Sequence, residues 1–202
     1  AAIKRIEPHD SVERYEGMGV NCVSGDAKLV SPWEVEVDGK RLSARNIVLA
    51  SGGRPRIPEW PGISEVNTVT SDTLWELKEL PPKLLVAGGG PIGCELAQAF
   101  ARLGSSVTVV ARSGLMPKED DDARKLVEAA FERDGIRVIK GADIVGFSKG
   151  DGDQLDIRLD GETLALTFDV CLLALGRVAN TENLGLEELG VRLRDDGTVI
   201  CN

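Results

Sequence analysis

Apolar and polar positions recur with different periods in different parts of this chain, and the change of period is the first guide to its organisation. Near the start, Asp10-Ser11-Val12-Glu13 sets an acidic cap three residues ahead of a glutamate, which predicts a short helix closed by Gly17 and Gly19. Strand-like pieces follow: VNCVS, AKLV, WEVEV, RLSA and NIVLAS. WEVEV alternates apolar and acidic residues, and Asp38-Gly39 behind it predicts a tight hairpin to RLSA. NIVLAS is apolar throughout, as a strand covered on both faces would be. Residues 19–50 therefore predict a small β-meander feeding a buried strand.

The pattern then breaks. GGRPRIPEWPGI carries glycine at 52, 53 and 62 and proline at 55, 58 and 61, which predicts a crossing linker. Ser71 or Asp72 is placed to cap a short helix over TLWELKEL, stopped by Pro81-Pro82. From Lys83 the order becomes strand, glycine turn, helix, strand, helix, strand. LLVA reads as a short buried strand. Ile92, Leu96, Ala99, Phe100 and Leu103 fall at helical spacing, and Gly104 closes that helix. VTVVA is a β-branched run of the buried parallel type. Glu119 to Asp134 predicts a second helix with Ala123, Leu126, Val127, Ala130 and Phe131 on its apolar face, and its acidic first turn suits the positive end of the helix dipole. IRVI predicts a third strand. GADIVGFSK, QLDIRLDG and ETLALTF predict three antiparallel strands, and VCLLAL one further buried strand. Right-handed crossovers make the first three strands of this unit parallel and adjacent. The expected class is α/β, with three layers built on a parallel sheet plus a β-meander.

Gly88-Gly89-Gly90-Pro91-Ile92-Gly93 fits G-x-G-x-x-G, with Gly88, Gly90 and Gly93 in the fixed places. The first glycine permits the tight turn out of the strand, the second a close approach of backbone to a pyrophosphate, and the third close helix–sheet packing. The helix start then offers free N–H groups and positive dipole to the anion. Glycine loops of this kind also occur for purely structural reasons, but here the strand before and the helix and strand after are all present. A carboxylate that selects the free ribose of NAD belongs at the end of the second strand. That strand ends at Ala111, and the next residue is Arg112, with Lys118 further along the loop. A guanidinium matches a 2′-phosphate in bidentate fashion, so the residues favour NADPH over NADH. Both cations also suit ordinary solvated loop positions.

Composition narrows the function classes. The 202 residues are 42% hydrophobic and 28% charged, as in soluble globular chains. A net charge of −9 argues against nucleic acid and anionic membrane surfaces as main partners, without excluding a local basic pocket. No apolar run approaches the ~20 residues of a membrane span, and the start has no signal-peptide shape. The four cysteines, Cys22, Cys94, Cys171 and Cys201, form no CxxC pair, and His9 is the only histidine, so no metal site is expected. The cysteine spacing gives no disulfide framework, which places the chain in a reducing cytoplasm.

GGGPIGCELAQAFARLGSSVTVVARSGLMPKED, together with LLALGRVANTENLGL, resembles the class I pyridine nucleotide–disulfide oxidoreductases. These are the FAD enzymes that include mercuric reductase, glutathione reductase and dihydrolipoamide dehydrogenase, and the first stretch is most similar to the mercuric reductase group. NIVLASGGRPRIP resembles the strand and linker between the family's FAD and NADPH domains. The resemblance covers essentially the whole chain. It implies a Rossmann-like NAD(P)H-binding domain over residues 67–177, flanked by partial FAD-binding segments over 1–66 and 178–202. Gly88, Gly90 and Gly93, with Pro91 and Ile92 of the same turn, would hold the NADPH pyrophosphate. Glu95 would lie near the nicotinamide, Arg112 and Lys118 on the 2′-phosphate, and Ile144 and Gly176 on the adenosine side. Ala50-Ser51-Gly52 matches the family's A-T-G turn near FAD, with Ser51 in place of threonine. Pro91 stands where many members carry a tyrosine over the flavin.

The same resemblance implies what a full member has besides: a first G-x-G-x-x-G for FAD, a Cys-x4-Cys redox pair, an A-x-G-D turn, and a dimerisation domain with a catalytic histidine. None of these motifs occurs in the chain. The chain is therefore expected to be a central piece of a homodimeric flavoenzyme, without catalytic residues of its own. It is expected to bind NADP(H), NADH being the alternative, with neither FAD nor turnover. The parent would pass a hydride from NADPH to FAD, and then electrons to a disulfide or a metal ion such as Hg(II). The rival readings are a freestanding dinucleotide sensor and an NADH-linked dihydrolipoamide dehydrogenase relative.

Overall fold

A computed structural model describes residues 2–201. The chain divides into two compact units: one runs up to Gly52 and resumes from Ala179, and the other is Gly53–Val178. These limits differ from the sequence boundaries at 66 and 177, because the linker 53–66 packs with the central unit.

In the first unit, helices α1 (Ala2–Ile6) and α2 (Val12–Gly17) precede an antiparallel meander of β1 (Ala27–Ser31), β2 (Glu34–Val37) and β3 (Lys40–Ser43). Ser11, not Asp10, caps α2: its backbone is extended and its Oγ accepts from Arg14 N at 3.3 Å. The Asp38-Gly39 hairpin forms as expected. Both residues take left-handed φ, 48° and 80°, which matches the twist of the flanking strands. The returning segment docks along β1, where Leu29 N donates to Leu184 O at 2.9 Å and Lys28 pairs with Glu188 at 3.0 Å. Two expected strands are absent. VNCVS and NIVLAS are not extended ladders, and Val48 is 87% exposed. A continuous apolar run becomes a buried strand only where neighbours take its backbone hydrogen bonds and layers cover both faces. Among the described residues, no strand pairs with 46–50.

The central unit opens with β4 (Gly53–Pro55), β5 (Thr68–Thr70) and β6 (Lys83–Ala87). It continues through α3 (Pro91–Leu103), β7 (Ser106–Ala111), α4 (Asp121–Arg133) and β8 (Arg137–Lys140). The meander β9 (Asp143–Gly150), β10 (Gly152–Leu159) and β11 (Glu162–Phe168) follows, then β12 (Val170–Leu173) and β13 (Arg177–Ala179), which pairs with β4. The main sheet is parallel, in the order β5-β12-β6-β7-β8. The predicted adjacency of β6, β7 and β8 holds, and the returning strand β12 lies on the other side of β6.

Alternate side chains of each strand serve opposite layers. Leu84 and Val86 of β6, Val107 and Val109 of β7 and Leu172 of β12 face a core with Ala97 and Phe131 of the helices. Leu85, Val110, Cys171 and Leu173 face the meander through Phe147, Leu155, Ile157 and Phe168. This is the three-layer arrangement expected from the sequence. Gly104 ends α3 with φ 113° and donates to Ala101 O. Asp134 ties the ends of the helices together, accepting from Gln98 Nε2 at 2.7 Å and Arg102 Nε at 3.0 Å. The Gln98 hydrogen bond, with Arg102 in support, holds its carboxyl below the usual aspartate range.

Two local expectations fail for physical reasons, and one short strand was not expected at all. TLWELKEL forms only a single 3-10 turn, Leu74–Glu76, with neither Ser71 nor Asp72 as its cap. So short a segment ahead of two prolines cannot repay helix nucleation, and burial of Leu74 fixes the turn instead. β5 had no sequence signal, since three residues carry no period. On α4, Phe131 is buried but Leu126 is 73% exposed and Ala123 is exposed as well. The helix packs into the core along a narrower stripe, through Val127 and Phe131, than its apolar positions suggested.

The linker is held by one aromatic stack. Trp60 lies 6.2 Å from Phe147, which meets Phe168 edge-on at 6.1 Å, and Phe147 N donates to Pro61 O at 2.8 Å. Replacing Phe147 by alanine is expected to cost about 3–5 kcal/mol. Urea titration followed by tryptophan emission reads this, because Trp60 is half-buried while Trp33 and Trp75 are 62% and 61% exposed.

Candidate functional site

The carboxyl ends of parallel strands are where such sheets build their sites. β6 ends at Ala87, and the chain turns at Gly88 with φ 117°, a conformation glycine tolerates best. A β-carbon on Gly88 would stand 2.2 Å from Ala174 O, and one on Gly93 would stand 2.2 Å from Gly88 O. Neither contact admits a side chain. Gly90 differs: its φ is −75° and nothing lies within 4 Å of where its β-carbon would be. The first and third glycines are thus filled against backbone, and the second faces open space.

Gly90 is also the N-cap of α3, with Pro91 at the first helical position. The first intrahelical bond runs from Cys94 N to Gly90 O at 2.9 Å. Helix geometry leaves the N–H groups of Ile92 and Gly93 without an intrahelical partner. Gly89 O is turned inward, accepting from Met116 N at 2.7 Å and Cys94 Sγ at 3.3 Å.

A cavity of about 490 Å³ is lined by Gly88 and Gly89, by Val110, Ala111 and Arg112, and by Ile144, Trp60 and Arg56. Gly88, Arg112 and Ile144, predicted from 24 to 56 residues apart, therefore share one cavity. Lys118 and Glu95 are exposed and line neither this cavity nor its neighbour. Gly176, with φ 102°, is exposed just beyond the lining residue Leu175, and its carbonyl accepts from Arg56 N at 3.0 Å. Ala50, Ser51 and Gly52 belong to the other unit, where Ser51 O and Gly52 O both accept from Asn180.

Arg112 is 79% exposed, and its guanidinium stands 3.7 Å from Asp143 Oδ1. Asp143 carries no signal in the linear pattern, because only the fold brings the start of β9 to Arg112. A second cavity of about 500 Å³ adjoins the first and shares Arg112, Ser113 and Gly114 with it. Its other lining residues are Asp121, Arg124, Lys125, Glu128 and Lys140. The helical period of 121, 124, 125 and 128 was the available signal for this face.

The unit's two cysteines are not poised as nucleophiles. Burial raises the Cys94 thiol, only partly offset by the Met116 main chain. Burial pushes Cys171 far above the usual thiol range. All four cysteines are free thiols. Among the described residues, no helix is long and apolar enough to cross a membrane.

A family model described as pyridine nucleotide-disulphide oxidoreductase matches residues 3–202. Mercuric reductase of Lysinibacillus sphaericus is 34% identical over 195 residues, which is 96% of this chain and 35% of that protein. Glutathione reductase of Nostoc sp. is 37% identical over 182 residues, 89% of this chain and 39% of that protein. Among solved structures, the HOCl-induced flavoprotein disulfide reductase RclA from Escherichia coli superposes with a TM-score of 0.75 at 29% identity, covering 90% of this chain and 42% of that one. The chain thus spans little more than a third of the length of these curated relatives.

The glycine geometry separates fold from function. Gly93→Ala is expected to cost at least roughly 1–3 kcal/mol, because α3 must move off Gly88 O. Gly90→Ala is expected to leave the melting temperature within a degree or two of the parent, since its φ suits alanine and its side is open. Thermal unfolding followed by circular dichroism compares the two.

Proposed function

The chain belongs to the pyridine nucleotide-disulphide oxidoreductase family, and on that premise we propose that its central unit binds NADPH for a flavin-linked oxidoreductase. The observation that carries this reading is the open side of Gly90, which follows Gly88 and Gly89, two lining residues of a cavity that also takes in Arg112. A pyrophosphate fits against Gly90, where the free N–H groups of Ile92 and Gly93 and the dipole of α3 favour an anion. The adenosine half extends over Val110 and Ala111 towards Ile144, and Arg112 meets the 2′-phosphate. Pro91 and Glu95, on the exposed side of the first turn, face the nicotinamide half, and Gly176 flanks the site behind Leu175. Lys118 stays a peripheral cation in this reading.

When bound, NADPH supplies a hydride, and in the whole protein FAD accepts it. The chain's own part is to bind, orient and discriminate. Ala50-Ser51-Gly52 is assigned to the flavin on the family resemblance alone. With Cys94 and Cys171 buried and their thiols raised, these 202 residues are expected to hold the nucleotide without turnover. Disulfide or Hg(II) reduction, and assembly as a homodimer, are proposed for the whole protein only.

One observation favours NADH instead. Asp143 stands beside Arg112, and its carboxylate is an acceptor for a free ribose hydroxyl. Calorimetric titration with NADPH and NADH decides between them. NADPH is expected to bind more tightly, and Arg112→Ala to cost about 1.5–3 kcal/mol for NADPH with little effect on NADH. Equal affinities in the parent chain would remove the argument from Arg112, and tighter NADH binding would establish the Asp143 reading.

A further inference from the structure

We propose that β11 is a self-association edge: a second copy of this chain pairs with it antiparallel, about a two-fold axis at Ala165. Such pairing needs no bound nucleotide. It uses residues of the central unit alone and is separate from the homodimer proposed for the whole protein.

Sheet edges expose backbone N–H and C=O groups, and chains blunt them with charge, proline, brevity or cover. The other edge strands here are blunted. β4, β5 and β13 have three residues each. β3 carries Lys40 and Arg41, and β8 carries Arg137 and Lys140. β1 carries Lys28 and is covered where Leu29 N meets Leu184 O. β9 carries Lys149, and its Phe147 N donates to Pro61 O. β11 lacks such devices apart from Glu162 at its first position. It runs ETLALTF over seven residues, with no cation, no proline and no register shift against β10. It is the outer strand of the β11-β10-β9 sheet, and Thr163, Ala165 and Thr167 are exposed. Among the described residues, no backbone group of 162–168 bonds beyond that sheet.

Register decides which backbone groups are free. Asp160-Gly161, with φ 52° and 84°, is a two-residue turn closed by the pair Leu159 and Glu162. The pair closing such a turn exchanges its backbone hydrogen bonds, and bonded pairs alternate along an antiparallel ladder. Glu162, Leu164, Leu166 and Phe168 therefore bond to β10, and the N–H and C=O groups of Thr163, Ala165 and Thr167 point outward. The same stretch, Thr163-Leu164-Ala165-Leu166-Thr167, reads identically in both directions. Two antiparallel copies centred on Ala165 place Ala165 opposite Ala165, Thr163 opposite Thr167, and Leu164 opposite Leu166. Every outward N–H of the three residues then meets a carbonyl of the other copy, and no charge within the strand faces a like charge. Leu164 and Leu166 share a face with the buried Ile157 and Leu155, their partners on β10. Leu164 is 39% exposed where the sheet ends, and pairing brings Leu166 of the second copy against it. A contact of this symmetry presents the same surface from both copies.

A seven-residue strand pair is small beside stable interfaces, which bury on the order of 1,200–2,000 Å² in total, so association is expected to be weak and to grow with concentration. Sedimentation equilibrium of the chain is expected to show its average mass rising from one chain towards two and no further, because a two-fold contact closes on itself. A165K and A165E each set like charges together at the axis and are expected to keep the one-chain mass at every concentration. Mixed in equal amounts they set opposite charges there, and association is expected to return. A165P removes only an outward N–H and is expected to abolish association as well. L126E, on the exposed side of α4, is expected to associate like the parent. Ala165 is exposed and alternates with the residues that face the core, so melting temperatures close to the parent's are expected for its variants. A parent chain that keeps the one-chain mass up to about 1 mM overturns the proposal. So do Ala165 variants that associate like the parent, an equal mixture that stays single, assembly beyond two chains, or loss of association in L126E.

Discussion

The approach of α3 to the end of β6 is the constraint on which the central unit depends. The β-carbon positions of Gly88 and Gly93 lie 2.2 Å from the carbonyl oxygens of Ala174 and Gly88. Only glycine permits that closeness, and it acts in two directions. It seats β12 beside β6, since Ala174 N donates to Ala87 O at 2.8 Å where Gly88 passes Ala174. It also draws the start of α3 down to the end of β6, where the helix's first N–H groups have no intrahelical partner. Strand order and the placement of the helix start are thus consequences of one steric fact.

How much of this was legible depended on the range of the interactions involved. β6, α3 and β7 were readable because period, glycine spacing and β-branching all act within a few residues and agree with one another. The Asp38-Gly39 hairpin was readable for the same reason. NIVLAS was misread because an apolar run states only that a strand would be stable if covered, and covering is decided elsewhere in a fold. TLWELKEL carries a cap candidate and a proline stop, but these local signals omit the cost of starting a helix so close to Pro81 and Pro82. Leu126 had the right spacing for the core, but the contact made by α4 is narrower than its apolar stripe.

The candidate site divides along the same line. Gly88, Gly90 and Arg112 follow directly from the β6-α3-β7 order, so a linear reading reached them. Asp143, Arg124, Glu128 and Lys140 come to Arg112 only through the register of β8 and the rotation of α4. Lys118, expected on the 2′-phosphate from its place in the loop and from the family resemblance, is exposed and lines neither cavity, although its neighbour Pro117 lines the first.

The electrostatics explain how a chain of net charge −9 offers a polyanion a place to bind. Fields from exposed charges fade over roughly 8–10 Å in physiological salt, so the overall sign matters less than the local arrangement. At Gly90, in the proposed reading, the attraction comes from helix N–H groups that carry no formal charge, at a helix end with no side-chain cap and no acid in its first turn. At Arg112 it comes from a guanidinium paired with the Asp143 carboxylate. That pairing lowers the affinity for any loose anion and spares the site from general phosphate binding. In the proposed reading, a ligand that also satisfies the glycine turn brings its second phosphate to Arg112 at high effective concentration, and only then is exchange with the carboxylate favourable. Discrimination would then arise from the distance between two anions on one ligand, since Gly88 and Arg112 line one cavity.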